Sequence, residues 1–193
     1  MRIISGKWRG RALDVPKGDT TRPTADRTRE ALFSMLQSRL GSFEGLRVAD
    51  LFAGTGALGL EALSRGAAHA TFVEQDKAAL AALKANVARL EAKAEVMAVS
   101  VSALGPARAP FDLLLLDPPY ASGGGGALIE RLTRLGWAAP GAWASVETEA
   151  KESVSAGGWM LEAERIHGKA KLSLLSRVAH QPVDDQGDGS EGR

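Results

Sequence analysis

Two short stretches hold residues whose types and spacing could do chemistry. Residues 50–59 read Asp50-Leu51-Phe52-Ala53-Gly54-Thr55-Gly56-Ala57-Leu58-Gly59. The glycines fit G-x-G-x-x-G, a pattern that lets a backbone turn tightly and come close to a ligand. Twenty residues after Gly54 stands Glu74, an acid placed to accept hydrogen bonds from ribose hydroxyls. The loop alone serves a dinucleotide or S-adenosylmethionine, and its bland alternative is a glycine turn without a ligand. Asp50 tips the choice. A carboxylate directly before the loop repels a pyrophosphate but suits the ammonium and sulfonium of S-adenosylmethionine.

The second stretch is Asp117-Pro118-Pro119-Tyr120, directly after the apolar run Phe111–Leu116. Two prolines fix φ and remove two backbone donors. The turn therefore presents acceptors, the Asp117 carboxylate and the Pro118 carbonyl, and Tyr120 adds a flat face. That combination suits a planar base bearing an exocyclic amine. The amine is a poor nucleophile because its lone pair is delocalised into the ring. Two hydrogen bonds orient it, and positioning against a methyl sulfonium supplies much of the remaining acceleration. Stacking on Tyr120 would hold a base taken out of its helix. The plain alternative is a structural Pro-Pro turn.

These residues need strands that end where they begin. Leu46–Phe52, Ala70–Glu74, Glu95–Val99, Phe111–Leu116 and Ala142–Glu147 read as strands, with two more near Glu162–Ile166 and Leu172–Val178. Helices are expected over 25–40 with Thr24 as N-cap, Leu58–Arg65, 76–91, and around Leu128–Leu135. Residues 2–15 read as a hairpin-like arm. The rhythm predicts an α/β, Rossmann-like, seven-stranded, mostly parallel sheet with an antiparallel end. Ligands bind beyond the carboxyl ends of such strands. The expected organisation is a basic arm over 1–24, one domain over 25–181, and a disordered acidic tail over 182–193.

Composition narrows the function. The 193 residues include no cysteine, which excludes disulfide scaffolds, zinc ribbons, iron–sulfur clusters, Cys nucleophiles and pyrimidine C5 methylation. No apolar run approaches the ~18 residues of a membrane span, and the first ten residues lack a signal-peptide core. A soluble cytoplasmic protein is expected. His69, His167 and His180 show no ligand spacing, so no metal is expected. Trp137, Trp143 and Trp159 read as packing residues, and Glu147 and Glu149 as solvated strand-end acids. The net charge of +1 conceals an uneven distribution. Residues 1–29 carry +5 and residues 182–193 carry −3. Basic arms meet phosphate backbones, where neutralised phosphates release counterions. The arm can equally be a solvated charged face, and Trp8 can stack on a base or pin the arm to the body.

The chain resembles the bacterial small-subunit ribosomal RNA guanine-N2 methyltransferases of the RsmD family, within the class I methyltransferases. The resemblance rests on Arg2–Arg11, Thr21–Arg27, Glu30–Phe33, Asp50–Gly66 and Asp117–Tyr120. It implies a reversed seventh strand and methyl transfer from S-adenosylmethionine to a guanine N2 amine in 16S rRNA of an assembled or assembling small subunit. A monomer is expected. The expected catalytic residues are Asp117, Pro118 and Tyr120. The expected cofactor contacts are Asp50, Phe52, Ala53, Gly54, Gly56, Glu74, Gln75, Ser100 and Asp117. The expected RNA contacts are Arg2, Lys7, Trp8, Arg9, Arg11, Arg22, Arg27 and Arg29. The adenine contact departs from the common pattern: Ser100 and Ser102 stand where an Asp or Asn is usual. Gly123–Gly126 reads as a plain linker, or more sharply as a mobile lid. Two other functions fit the same motifs: adenine-N6 methylation of nucleic acid, and a catalytically silent RNA-binding assembly factor.

Overall fold

The computed structural model describes residues 1–16, 23–119 and 124–179. Arg22, Tyr120 and the expected tail lie outside them. The strands are β1 (Arg47–Leu51), β2 (His69–Glu74), β3 (Ala94–Ala98), β4 (Phe111–Leu116), β5 (Ala138–Glu149), β6 (Trp159–His167) and β7 (Ala170–Arg177). They form one sheet in the order β3-β2-β1-β4-β5-β7-β6. The first five pair in parallel, and β7 runs antiparallel to both its neighbours. The expected seven-stranded sheet with a reversed last strand is therefore found.

Helices α1 (Pro23–Leu40), α2 (Ala57–Ser64), α3 (Lys77–Arg89) and α4 (Gly125–Arg134) cover the sheet. Along β4, Leu113 and Leu115 join one core with Phe33, Leu36, Leu60 and Leu83, whereas Leu114 and Leu116 join another with Ile129 and Leu132. The continuous apolar run of β4 thus reflects burial on both faces.

Two local expectations are corrected. Helix α1 starts at Pro23, so Thr24 lies inside the first turn instead of capping it; proline is favoured there because its missing N–H would be unpaired anyway. Gly125 and Gly126, read as linker or lid, are buried in the first turn of α4. A Cβ on Gly126 would lie 1.9 Å from the Ser155 carbonyl oxygen, so close backbone packing selects the glycine.

The arm is a short hairpin, as expected. Arg2 and Ala12 form an antiparallel bridge, and the Ile3 amide donates to the Arg11 carbonyl at 2.9 Å. Ile3 and Leu13 are buried in the core beside α1 and α2.

Candidate active site

The strand order reverses between β1 and β4, and a crevice opens there beyond the carboxyl ends of the strands. It holds a cavity of about 450 Å³, within the size range of small-molecule sites. Phe52, Glu74 and Gln75 line one part, and Asp117, Pro118 and Pro119 another. The two stretches singled out in the sequence therefore meet at one place.

The glycine loop is held from both sides. The Gly54 amide donates to Glu74 Oε2 at 2.8 Å, while Glu74 Oε1 accepts from the Gln75 and Asp76 amides. Gly56 adopts φ +80, and a Cβ there would lie 2.4 Å from Leu83 Cδ1. The left-handed conformation selects glycine at this position, and Leu83 would have to shift to admit any side chain. Phe52 has φ 67, a left-handed conformation unusual for an aromatic residue. Such strain costs about 1–3 kcal/mol and persists where the surroundings enforce it, often at functional sites.

Asp50 differs from expectation. Its carboxylate is 2% exposed, accepts the Gly59 amide at 2.8 Å and does not face the cavity. It braces the turn into α2. Burial pushes its pKa up to about 8, against the opposing effect of the Gly59 hydrogen bond, and the charges of Asp117 and Glu74 add to the rise. Ala53, Gly54 and Gly56 form the loop that continues from Phe52 beside the cavity.

Asp117 is exposed on the cavity side. Packed protein behind it and, secondarily, the charge of Glu147 raise its pKa to about 7. Water in the open cavity opposes that rise.

Ser100 does not line the cavity. Its hydroxyl accepts the Ser102 amide and pairs with the Ser102 hydroxyl at 2.7 Å, capping a single 3-10 turn. The wall beside it is made of Val99 and Val101. The sequence reading looked for a polar partner where the chain supplies apolar surface. It read Glu147 as a solvated acid and did not assign Val73 or Pro119 a site role, and all three line the cavity.

A family model described as "Conserved hypothetical protein 95" matches residues 1–176. The chain belongs to this family. It is 39% identical over 188 residues to ribosomal RNA small subunit methyltransferase D of Escherichia coli (strain K12), spanning 95% of this chain and 93% of that protein. Among solved structures, the yhhF protein of Escherichia coli superposes with a TM-score of 0.81 at 40% identity, covering 93% of this chain and 98% of that one. The magnesium protoporphyrin IX methyltransferase of Synechocystis shares the fold, with a TM-score of 0.63 at 14% identity, covering 83% of this chain and 86% of that one. The resemblance to the RsmD proteins drawn from the motifs is borne out.

Within this family member, the arm motif has a structural task. Glu61 is fully buried in α2, and its carboxylate accepts the Ile4 amide at 2.7 Å, the Ser5 amide at 3.0 Å and Arg65 Nε at 2.8 Å. The Ser64 hydroxyl accepts the Trp8 amide at 3.0 Å, and the Ser64 carbonyl accepts Lys7 N. Asn86 ties the arm to the glycine loop: its Nδ2 donates to the carbonyls of Asp14 and Thr55, both at 3.0 Å. Trp8 is half-buried against the core, with Lys7 Nζ 4.2 Å from its ring centre.

The expected RNA-contacting cations therefore separate into two groups. Arg2, Lys7, Arg9, Arg11 and Arg27 are exposed. Arg29 is not; it is 5% exposed and donates to the Arg2 carbonyl and Asp26. Its place is under the arm, because a helix face that carries Leu32, Phe33 and Leu36 into the core carries Arg29 towards it as well.

Proposed function

We propose that this rRNA methyltransferase moves the methyl group of S-adenosylmethionine to the exocyclic N2 amine of a guanine in 16S rRNA of the small ribosomal subunit. The observation that carries the reading is the Asp117-Pro118-Pro119 turn at the end of β4, in one cavity with Glu74, Gln75 and Phe52. The lining supports the cofactor. It includes the carboxylates Glu74, Asp117 and Glu147, and no lysine or arginine among the described residues. Such a wall favours a cation and opposes a pyrophosphate. Glu74 is placed for the ribose hydroxyls, and Val73, Val99 and Val101 offer apolar surface to a planar base.

The cofactor supplies an electrophilic methyl on a sulfonium. The protein's part is to hold the amine. Asp117 accepts one N–H, and the Pro118 carbonyl accepts the other. The amine is neutral and needs no base before attack. Its proton leaves as or after the new bond forms, when the nitrogen has become strongly acidic, and Asp117 receives it or passes it to water. Tyr120, outside the described residues, is proposed to stack on the base.

The deciding experiment is transfer from labelled S-adenosylmethionine to small subunits lacking their own methylation, followed by nucleoside analysis. N2-methylguanosine is the expected product. N6-methyladenosine, or no transfer, would replace this reading with one of its rivals.

RNA contact is proposed for Arg2, Lys7, Arg9, Arg11 and Arg27. Deleting the arm cannot test this, because deletion also removes the partners of buried Glu61. The triple variant Lys7→Ala, Arg9→Ala, Arg11→Ala keeps the backbone contacts. Its affinity for small-subunit RNA should fall, and the salt dependence should flatten by roughly 0.7–0.9 per lost phosphate contact. An unchanged slope would make these charges a solvated surface.

A further inference from the structure

Glu147 is an acid in the site that the proposed reaction leaves unused. Strands β4 and β5 pair in parallel, with Leu116 opposite Val146. Leu116 and Val146 both turn into the core beside α4. Glu147 is the next residue of β5, where side chains alternate, and Asp117 is the first residue beyond the end of β4. The two acids are therefore neighbours at the cavity end of adjacent strands, close enough for the charge of Glu147 to act on Asp117. Both line the cavity, together with Pro118 and Pro119.

Two carboxylates side by side match one base better than the other. In guanine the N2 amine is flanked on one side by N1–H, a second donor. In adenine the N6 amine is flanked by N1 and N7, both acceptors. A carboxylate beside the one that holds the amine finds a hydrogen-bond donor only when the base is guanine; beside adenine it meets a lone pair. Resting on the reaction proposed above, we infer that Glu147 selects guanine by accepting its N1–H while Asp117 accepts from the amine. The N1 proton stays on the ring. A charge-assisted hydrogen bond there shifts electron density towards N2, so the contact also aids the attacking nitrogen.

The test is an enzyme-by-base cycle at the methylated position, once it is mapped. Small subunits are reconstituted with 16S rRNA carrying guanine or 2-aminopurine at that position. 2-Aminopurine keeps the N2 amine but presents an acceptor at N1. Single-turnover methyl transfer is measured for the wild type, Glu147→Ala and Glu147→Gln. The wild type should prefer guanine by at least about tenfold, the scale of one hydrogen bond to a charged group. Glu147→Ala should bring the two rates within about threefold, and Glu147→Gln should narrow the preference without removing it. Each ratio is internal to one variant, so lost stability cannot imitate the effect. If Glu147→Ala is too unstable or slow to assay, Glu147→Gln decides alone. A preference unchanged in the variants overturns the assignment. Failure of the wild type to make N2-methylguanosine strikes the proposed reaction instead.

Discussion

Asp117→Ala is expected to slow single-turnover methyl transfer to small subunits by at least about a hundredfold, the scale for removing one preorganised electrostatic partner from a reacting centre. S-Adenosylmethionine should still bind, as measured by calorimetry, and lose far less affinity than the transfer step loses rate, because Glu74, Glu147 and the glycine loop remain in place. The ionised carboxylate is the full acceptor, and its proton is held up to about 7 in the free protein. The rate should therefore rise with pH through about 7 and level off above it. Below that point the carboxyl is protonated and loses part of its accepting capacity. Asp117→Asn keeps an acceptor oxygen but cannot ionise, so it should retain partial activity with no step near neutrality. A near-normal rate for Asp117→Ala would force this assignment to be abandoned.

The second large effect is on stability. Glu61→Ala should destabilise the protein by about 3–5 kcal/mol, the cost of removing one partner of a buried ion pair. The substitution strands the Ile4 and Ser5 amides and leaves Arg65 without its carboxylate. For a domain of this size, that corresponds to a fall in Tm of roughly 6–20 °C. Arg65 also lies over the Phe33 ring, 4.9 Å from its centre, so the loss should reach α1. Hydrogen exchange at residues 3–13 should accelerate in the variant. Wild-type stability with unchanged exchange in the arm would show that Glu61 does not anchor it.

Residue type and spacing made part of this site legible in advance. The glycines, Glu74 and Asp117 carry their chemistry in short patterns, each at the end of a strand that periodicity marks. What escaped depends on the third dimension. Asp50 sits correctly in the motif, but only packing reveals that its carboxylate turns under α2 to Gly59. Glu147 resembles any acid closing a strand, and only the strand order sets β5 beside β4. Serines just after β3 drew attention because they are polar, whereas the alternating valines, Val99 and Val101, face the cavity. The arm was read as a hairpin carrying charges and Trp8, without its buried anchor in α2. A usable signal was present in α2, whose residues ALGLEALS set Glu61 between Leu60 and Ala62. A carboxylate in so apolar a helix requires buried partners, and the arm's backbone provides them.

The reversal of β7 settles where the chain leaves the sheet. Glu149, at the pocket end of β5, pairs with Ala170 at the start of β7, whereas Ser176 pairs with Trp143 towards the other end. The backbone therefore exits at the edge opposite the cavity, with the Val178 amide bonded to the Gly158 carbonyl at 2.9 Å. That exit is a natural tether point. A fluorophore attached through a cysteine introduced at the exposed Val178 would sit at the end of the sheet away from the cavity and leave the approach to it open. Met1 is a poorer attachment point, since its carbonyl accepts the Leu13 amide and its sulfur lies 3.7 Å from the Thr55 hydroxyl beside the glycine loop.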